Sequence, residues 1–166
     1  MTLATALRLQ LGFDYATTVG GESVSTAPKF NVTGEMATGV VIDTADTLWF
    51  NKARALAATS EEIDVAASLS DAFGTTLSFV KIKGVFIQNL SVVADETIKV
   101  GGAAANALLL FDDATDIYTI GPGGIFFLWE PSLAGKTVTA ATGDLLKIDS
   151  GAATLTYNIA IWGTSS

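Results

Sequence analysis

Residues 154–162 decide the fold, and they read Thr-Leu-Thr-Tyr-Asn-Ile-Ala-Ile-Trp. Every second side chain in this segment is large and apolar, and together these are Leu155, Tyr157, Ile159 and Ile161. The side chains between them, at Thr156, Asn158, Ala160 and Trp162, form a second and more mixed set. Because successive side chains of a β-strand point to opposite faces, the segment predicts a strand with one face in a hydrophobic core.

The same period of two recurs along the chain. Residues 3–11 carry leucine at positions 3, 7, 9 and 11, with the shorter or polar residues in between. After position 60, short segments rich in Thr, Val, Ile and Phe are separated by turn signals at regular intervals, among them Gly121-Pro122-Gly123-Gly124. No helical segments of strand-linking length lie between them, which disfavours a wound α/β sheet. The sequence therefore predicts an all-β protein, an antiparallel β-sandwich of the jelly-roll-like kind.

The two ends of the chain have different patterns. We expect residues 46–166 to form the β-sandwich domain and residues 1–45 to form an N-terminal strand followed by an extended arm. The polar stretch Asp14–Pro28 contains Gly20-Gly21 and several Ser and Thr residues, which favours a long loop. The arm is predicted to pack on this domain or on a neighbouring subunit.

Composition excludes several kinds of chemistry. The 166 residues include no Cys and no His, so disulfides, thiolate zinc sites and Ser-His-Asp or Cys-His catalysis are excluded within this chain. The net charge is −8, and the nine basic residues are scattered. Binding to nucleic acid or to an anionic membrane is therefore not expected, because both need clustered positive charge. No segment resembles a targeting signal, and no cofactor is predicted.

Two segments are apolar on both strand faces, namely Leu108–Phe111 and Ile125–Trp129. A two-layer sandwich buries only one face of each sheet, so the outward side chains need a second cover. This pattern, with 49% hydrophobic and only 16% charged residues, predicts a homo-oligomer, and the trimer that we favour is what the family resemblance described below implies. The predicted interface residues, for contacts with other copies or with a larger partner, are Leu7, Leu9, Leu109, Phe111, Phe127 and Trp129.

Clusters with possible chemical roles have simpler structural interpretations. Asp112, Asp113 and Asp116 offer carboxylates for calcium, but they lack the spacing of an EF-hand and suit a loop whose Asp side chains bind local amides. Glu62 and Asp64 fall on one strand face, where a solvated outer face explains them better than a glycosidase pair does. The aromatic residues favour a core or interface over a sugar platform, and they are Trp49, Phe50, Phe126, Phe127, Trp129, Tyr157 and Trp162.

The order of several short motifs carries a resemblance. The segments are Ala45–Trp49, Ala55–Ala58, Ile63–Ala66, Leu69–Gly74, Val100–Ala107, Gly121–Gly124 and Gly143–Lys147. Across residues 45–166 they resemble a family of small structural proteins of tailed bacteriophages. The resemblance implies a β-rich virion protein, often trimeric, that carries no catalytic residues.

The leading functional hypothesis is a non-enzymatic capsid decoration or cement protein, made in the host cytoplasm and located on the capsid exterior. Its partners would be further copies of itself and the major capsid protein, whose subunits it would bridge to stabilise the phage head. The alternative is a receptor- or glycan-binding module of a head or tail fibre.

Overall fold

The computed structural model describes residues 3–19 and 22–166, and within these residues it contains strands and turns but no helix. The strands are β1 (Thr5–Gly12), β2 (Tyr15–Val19), β3 (Glu22–Thr26), β4 (Lys29–Met36), β5 (Thr47–Ala57), β6 (Ser60–Asp64), β7 (Leu69–Ser70), β8 (Thr76–Leu77), β9 (Lys81–Asn89), β10 (Ile98–Gly101), β11 (Ile117–Ile120), β12 (Ile125–Trp129), β13 (Lys136–Thr137), β14 (Leu145–Asp149) and β15 (Thr154–Thr164). The all-β prediction is confirmed. Among the described residues there is thus no helix long and apolar enough to span a membrane.

Two sheets form the body of the protein. The five-stranded sheet has the order β12-β9-β15-β5, with β13 also paired to β9, and the four-stranded sheet has the order β11-β10-β14-β6. Every strand pair in these sheets is antiparallel. The architecture is a β-sandwich, as predicted, while the jelly-roll description stays a prediction.

Both sheets contribute to one hydrophobic core. Its members from the five-stranded sheet are Trp49, Leu56, Ile82, Val85, Ile87, Leu155, Tyr157, Ile159 and Ile161, and those from the four-stranded sheet are Ile63, Ile98, Val100, Ile120, Leu146 and Ile148. The alternation of residues 155–161 is confirmed, because all four large side chains of that set are buried. One side of each sheet therefore packs inward, and the other side faces outward.

The predicted turn at Gly121–Gly124 joins the two sheets. The Gly124 N–H donates to the Gly121 carbonyl over 2.9 Å, and Gly123 has φ +68°. With Pro122 before it, this is the pattern of a type II turn, in which the third position favours glycine. The turn carries the chain from β11 in the four-stranded sheet to β12 in the five-stranded sheet.

Two sequence-based expectations are wrong. The Asp14–Pro28 stretch is not a loop, because β2 and β3 pair from Tyr15↔Thr26 to Val19↔Glu22. Alternating Thr, Ser and Val residues have enough strand propensity to form this hairpin. The expected Gly20-Gly21 turn lies outside the described residues.

The segment Leu108–Phe111 is irregular rather than a strand. Asn106 has φ +51°, and the Leu110 N–H donates to the Leu108 carbonyl only two residues earlier. Leu108 and Leu110 are nevertheless buried in the core. Successive residues here are apolar although the segment is not paired as a strand, because Leu108 and Leu110 both enter the core.

Candidate functional site

The outer face of the five-stranded sheet is organised in three rows that run across the strands. Residues that are register partners on neighbouring antiparallel strands point to the same face. The first row is Trp129, Gly84, Trp162 and Leu48, the second is Phe127, Phe86, Ala160 and Phe50, and the third is Ile125, Gln88 and Asn158. The first two rows are apolar, whereas the third is largely polar.

The first row is covered by the amino-terminal part of the same chain. Leu3, Met36 and Ala45 form a second buried cluster with Trp162, and Trp129 packs against this cluster. A Cβ atom at Gly34 would lie 3.0 Å from Cζ2 of Trp129, so the chain passes close over the indole ring. The outer face thus has its own small hydrophobic core.

A β-bulge next to Gly84 shapes the first row. Trp162 pairs with Gly84, but Gly163 pairs with Ile82, so Lys83 is the extra residue on β9. The Trp162 ring lies directly on Gly84, where a Cβ atom would be only 1.9 Å from Cζ2. Lys83 is buried, and its Nζ donates a hydrogen bond to the Ser132 carbonyl. Burial lowers the pKa of Lys83.

The second row, which we call the exposed strip, is only partly covered within the described chain, since Phe86 is its one member that packs against the second buried cluster. Phe127 is 40% exposed and Phe50 is 47% exposed. Between them, Phe86 and Ala160 are half-buried. A groove of about 290 Å³ runs beside the strip, lined by Leu48, Phe50, Asn51, Lys52, Phe86, Asn158, Ile159 and Ala160. In the third row, Asn158 Nδ2 donates to Gln88 Oε1 over 3.0 Å, which ends the apolar surface.

Strands β1 and β4 form a two-stranded ribbon with an apolar side and a polar side. On the apolar side the register pairs are Leu7↔Gly34, Leu9↔Val32 and Leu11↔Phe30. On the polar side they are Arg8↔Thr33 and Gln10↔Asn31, and the Gln10 Nε2 donates to Asn31 Oδ1 over 2.9 Å. The predicted amino-terminal strand is therefore one half of an amphipathic ribbon.

The apolar side of the ribbon is covered at one end only. Met36 and Gly34 lie at the covered end, over the first row. Further along the same side, exposure rises to 42% at Leu9, 48% at Leu11 and 60% at Phe30. We call this outer part of the apolar side the ribbon stripe, with the members Leu9, Leu11, Phe13, Phe30 and Val32.

The six predicted interface residues lie at three separate places, two residues at each. Leu7 and Leu9 lie on the apolar side of the ribbon, while Phe127 and Trp129 lie on the outer face of the sheet. Leu109 and Phe111 lie elsewhere, in the irregular segment between β10 and β11. Leu109 is 47% exposed, but Phe111 packs against the main core, with its ring centroid 5.7 Å from that of Phe126.

A partly buried polar network lies at the opposite, inner side of the sheet. Arg54 binds Glu61 with two nitrogens, Nη2 at 2.6 Å and Nε at 2.9 Å from Oε2. The Tyr157 hydroxyl donates to Glu61 Oε1 over 2.5 Å, and the Arg54 guanidinium lies 5.7 Å from the Trp49 ring centroid. Sequence reasoning missed this network, although a single Arg on a largely uncharged strand was a possible signal.

Within this network Glu61 stays ionised and Tyr157 stays neutral. Burial acts to raise the pKa of Glu61, but hydrogen bonds from Arg54 and Tyr157 outweigh burial, and the pKa is lowered. Burial, with the Glu61 hydrogen bond second, raises the pKa of Tyr157. A carboxylate that stays ionised and fully bonded suits a structural role better than proton transfer.

The remaining acidic candidates form local bonds. Asp113 Oδ1 accepts from the Thr115 N–H and hydroxyl, and Asp116 Oδ2 accepts from the Asp113 N–H. Asp64 Oδ1 accepts from the Ala66 N–H over 2.8 Å. These contacts match the local-amide interpretation of the acidic loop. Glu62 is exposed beside a cleft of about 380 Å³, lined by Trp49, Asn51, Arg54, Glu62, Ile63, Ser68, Leu69 and Ser70.

Comparisons of the chain with protein-family models, with curated proteins and with solved structures find no match. The ribbon stripe and the exposed strip therefore give the main structural indication of function.

Proposed function

We propose that this protein is a non-enzymatic virion structural protein, a capsid decoration protein that binds the outside of a phage head. The observation that carries the proposal is the amphipathic ribbon beside a partly uncovered apolar sheet face. Large exposed apolar patches on a stable scaffold are typical of surfaces made for assembly. The resemblance of residues 45–166 to small tailed-phage structural proteins adds the virion context.

The protein would act by physical attachment to the capsid, without a chemical reaction. A rigid sandwich provides the scaffold, and apolar surfaces provide contacts that need no reaction. A decoration protein that contacts several major capsid subunits at once turns weak individual contacts into firm attachment. The head is then stabilised because its subunits cannot separate without breaking all of these contacts together.

The direct test is the location and copy number of the protein in particles. Phage particles whose genome encodes this chain would be purified, labelled with antibody and gold, and quantified by mass spectrometry against the major capsid protein. We expect hundreds of copies spread over the head. Absence from particles would refute the proposal. Heads assembled without the protein should also lose their DNA at a lower temperature than complete heads.

A receptor- or glycan-binding fibre module is the second candidate. The cleft that contains Arg54, Glu62 and Ser68 favours it, because it offers polar side chains at its surface. However, Trp49 and Trp162 are only 7% and 5% exposed, which leaves little Trp surface for stacking on a sugar. A few copies at the tail, together with glycan binding lost in Arg54→Ala, would favour this function over decoration.

A further inference from the structure

The ribbon stripe and the exposed strip are two apolar surfaces of one chain, and the chain leaves the ribbon stripe and both ends of the strip, Phe127 and Phe50, exposed. The chain exposes 9,248 Å² in total. A compact monomer of its mass, 17.2 kDa, exposes about 7,800 Å². The excess is about 1,400 Å². A standard protein interface buries about 800 Å² on each partner, so the excess is enough for a stable interface.

The two surfaces match in size. The ribbon stripe runs from Leu9 in β1 to Phe13 just beyond the end of β1, and these four residue steps span about 14 Å at the usual rise of a strand. The exposed strip crosses four strands, which places its ends about 14 Å apart. Both surfaces are apolar, with Leu, Val and Phe on the ribbon and Phe and Ala on the sheet. Gln88 and Asn158 border the exposed strip, while Gln10 and Asn31 lie on the opposite side of the ribbon.

The packing mode already exists inside each chain. The covered end of the ribbon lies over Trp129 and Trp162 in the first row of the outer face. The ribbon stripe continues the same side of the same ribbon, and the exposed strip is the adjacent row of the same face. A second copy therefore offers a ribbon to the exposed strip and a sheet face to the ribbon stripe, which is the same kind of contact that the ribbon and the first row make within one chain.

We propose that the ribbon stripe of one subunit packs on the exposed strip of a second copy. The contact is face to face through side chains and does not add a strand to a sheet edge, because the apolar side chains of β1 and β4 lie together on one face of the ribbon. Because the two surfaces differ, the interface is heterologous, and repeating it closes a ring such as a trimer when the rotations between neighbours add up to a full turn, whereas any other rotation builds an open filament. The inference concerns self-assembly and stands independently of a role in the virion.

Mixed single-thiol variants test the contact directly. The natural chain contains no Cys, so Leu9→Cys and Phe127→Cys each carry one thiol. One variant bears a tag that separates the two by mass. After mixing and mild oxidation, we expect a disulfide-linked pair of the two different variants. The matched control replaces Phe127→Cys with Val92→Cys, because Val92 is 93% exposed and lies on neither surface.

Two outcomes would overturn the inference. One is a heteropair yield no higher than that of the Val92→Cys control. The other is a product that consists mainly of Leu9→Cys linked to itself, which would mean that ribbons pair with ribbons. Both substitutions are at exposed positions, and near-ultraviolet circular dichroism of each variant before oxidation checks that the fold is intact.

Sedimentation of the full chain gives an independent measurement. We expect association of the natural protein, weakened on the order of tenfold or more by Leu9→Asp and by Phe127→Asp, with Val92→Asp unchanged. A monomer at every concentration would refute the inference. A protein that forms the predicted ring but is absent from particles would refute only the decoration proposal, and a protein that coats heads without forming this contact would refute only the inference.

Discussion

Gly84 has no side chain, and this allows the rings of its register partners Trp129 and Trp162 to share the outer face of the five-stranded sheet. The Trp162 ring occupies the space where a Cβ atom would be, 1.9 Å from Cζ2. Gly84→Ala should lower the free energy of unfolding by about 3 kcal/mol, because the ring must move out of a buried position. Chemical denaturation measures this change. Gly121→Ala is the control, since nothing lies within 4 Å of its Cβ position, and it should cause no loss of stability.

The Glu61 network should make stability depend on pH. The folded-state pKa of Glu61 lies below its ordinary value of 4.5, so ionised Glu61 favours the folded state. Its contribution is complete above about pH 4.5 and is lost as pH falls through the folded-state pKa. Glu61→Gln should lose about 1–2 kcal/mol at pH 7 and show a weaker acid dependence below pH 4.5, as urea denaturation at several pH values would reveal.

Glu62→Gln is the matched control for that measurement, because Glu62 is the next residue on the same strand and is exposed. It should retain the acid dependence of the natural protein. An unchanged acid dependence in Glu61→Gln would contradict the role given to the network.

Alternation predicted individual buried residues well, but it did not predict polar contacts. Leu155, Tyr157 and Ile159 could be assigned to the core because their spacing alone sets the face. The bond between Glu61 and Tyr157 joins residues 96 positions apart, and its geometry depends on how the two sheets stack. No local pattern contains that information.

Among the elements, the ribbon is the one most separate from the main core. All buried members of that core lie between Trp49 and Ile161. Deleting residues 1–30 should therefore leave a sandwich that unfolds cooperatively, with stability reduced by about 2–3 kcal/mol because Leu3 no longer covers the first row. Thermal unfolding followed by circular dichroism would test this. Loss of cooperative unfolding would show that the sandwich needs the ribbon in order to fold.

The errors of sequence reasoning also occurred at the level of elements. The first strand was predicted, but its partner β4 was not, although Phe30, Val32 and Met36 alternate with polar residues and only Gly34 interrupts the pattern. Leu108–Phe111 has strand composition, yet the Leu108 N–H donates to the Leu145 carbonyl and the chain then turns inward. Strand propensity describes how a segment would behave in a sheet, whereas tertiary contacts decide whether it enters one.

For the whole molecule, self-association should couple to stability. If only folded chains associate, a tenfold rise in protein concentration above Kd stabilises them by about 1.4 kcal/mol, which corresponds to an increase in Tm of about 3–5 °C. Scanning calorimetry from dilute to concentrated protein would measure this increase. The Phe127→Asp variant should have a Tm that does not change with concentration, and a constant Tm for the natural protein would argue against association of folded chains.

The eight register pairs between Thr5↔Met36 and Gly12↔Lys29 have one more consequence. Because side chains alternate with a period of two, removing a single residue between Thr5 and Leu9 would rotate every leucine beyond it onto the side now held by Thr33 and Asn31. The composition of the chain would hardly change, yet the leucine side chains would point to the opposite face of the ribbon. Deleting one residue at this point would thus disturb the ribbon stripe more than deleting the whole β2–β3 hairpin that follows it.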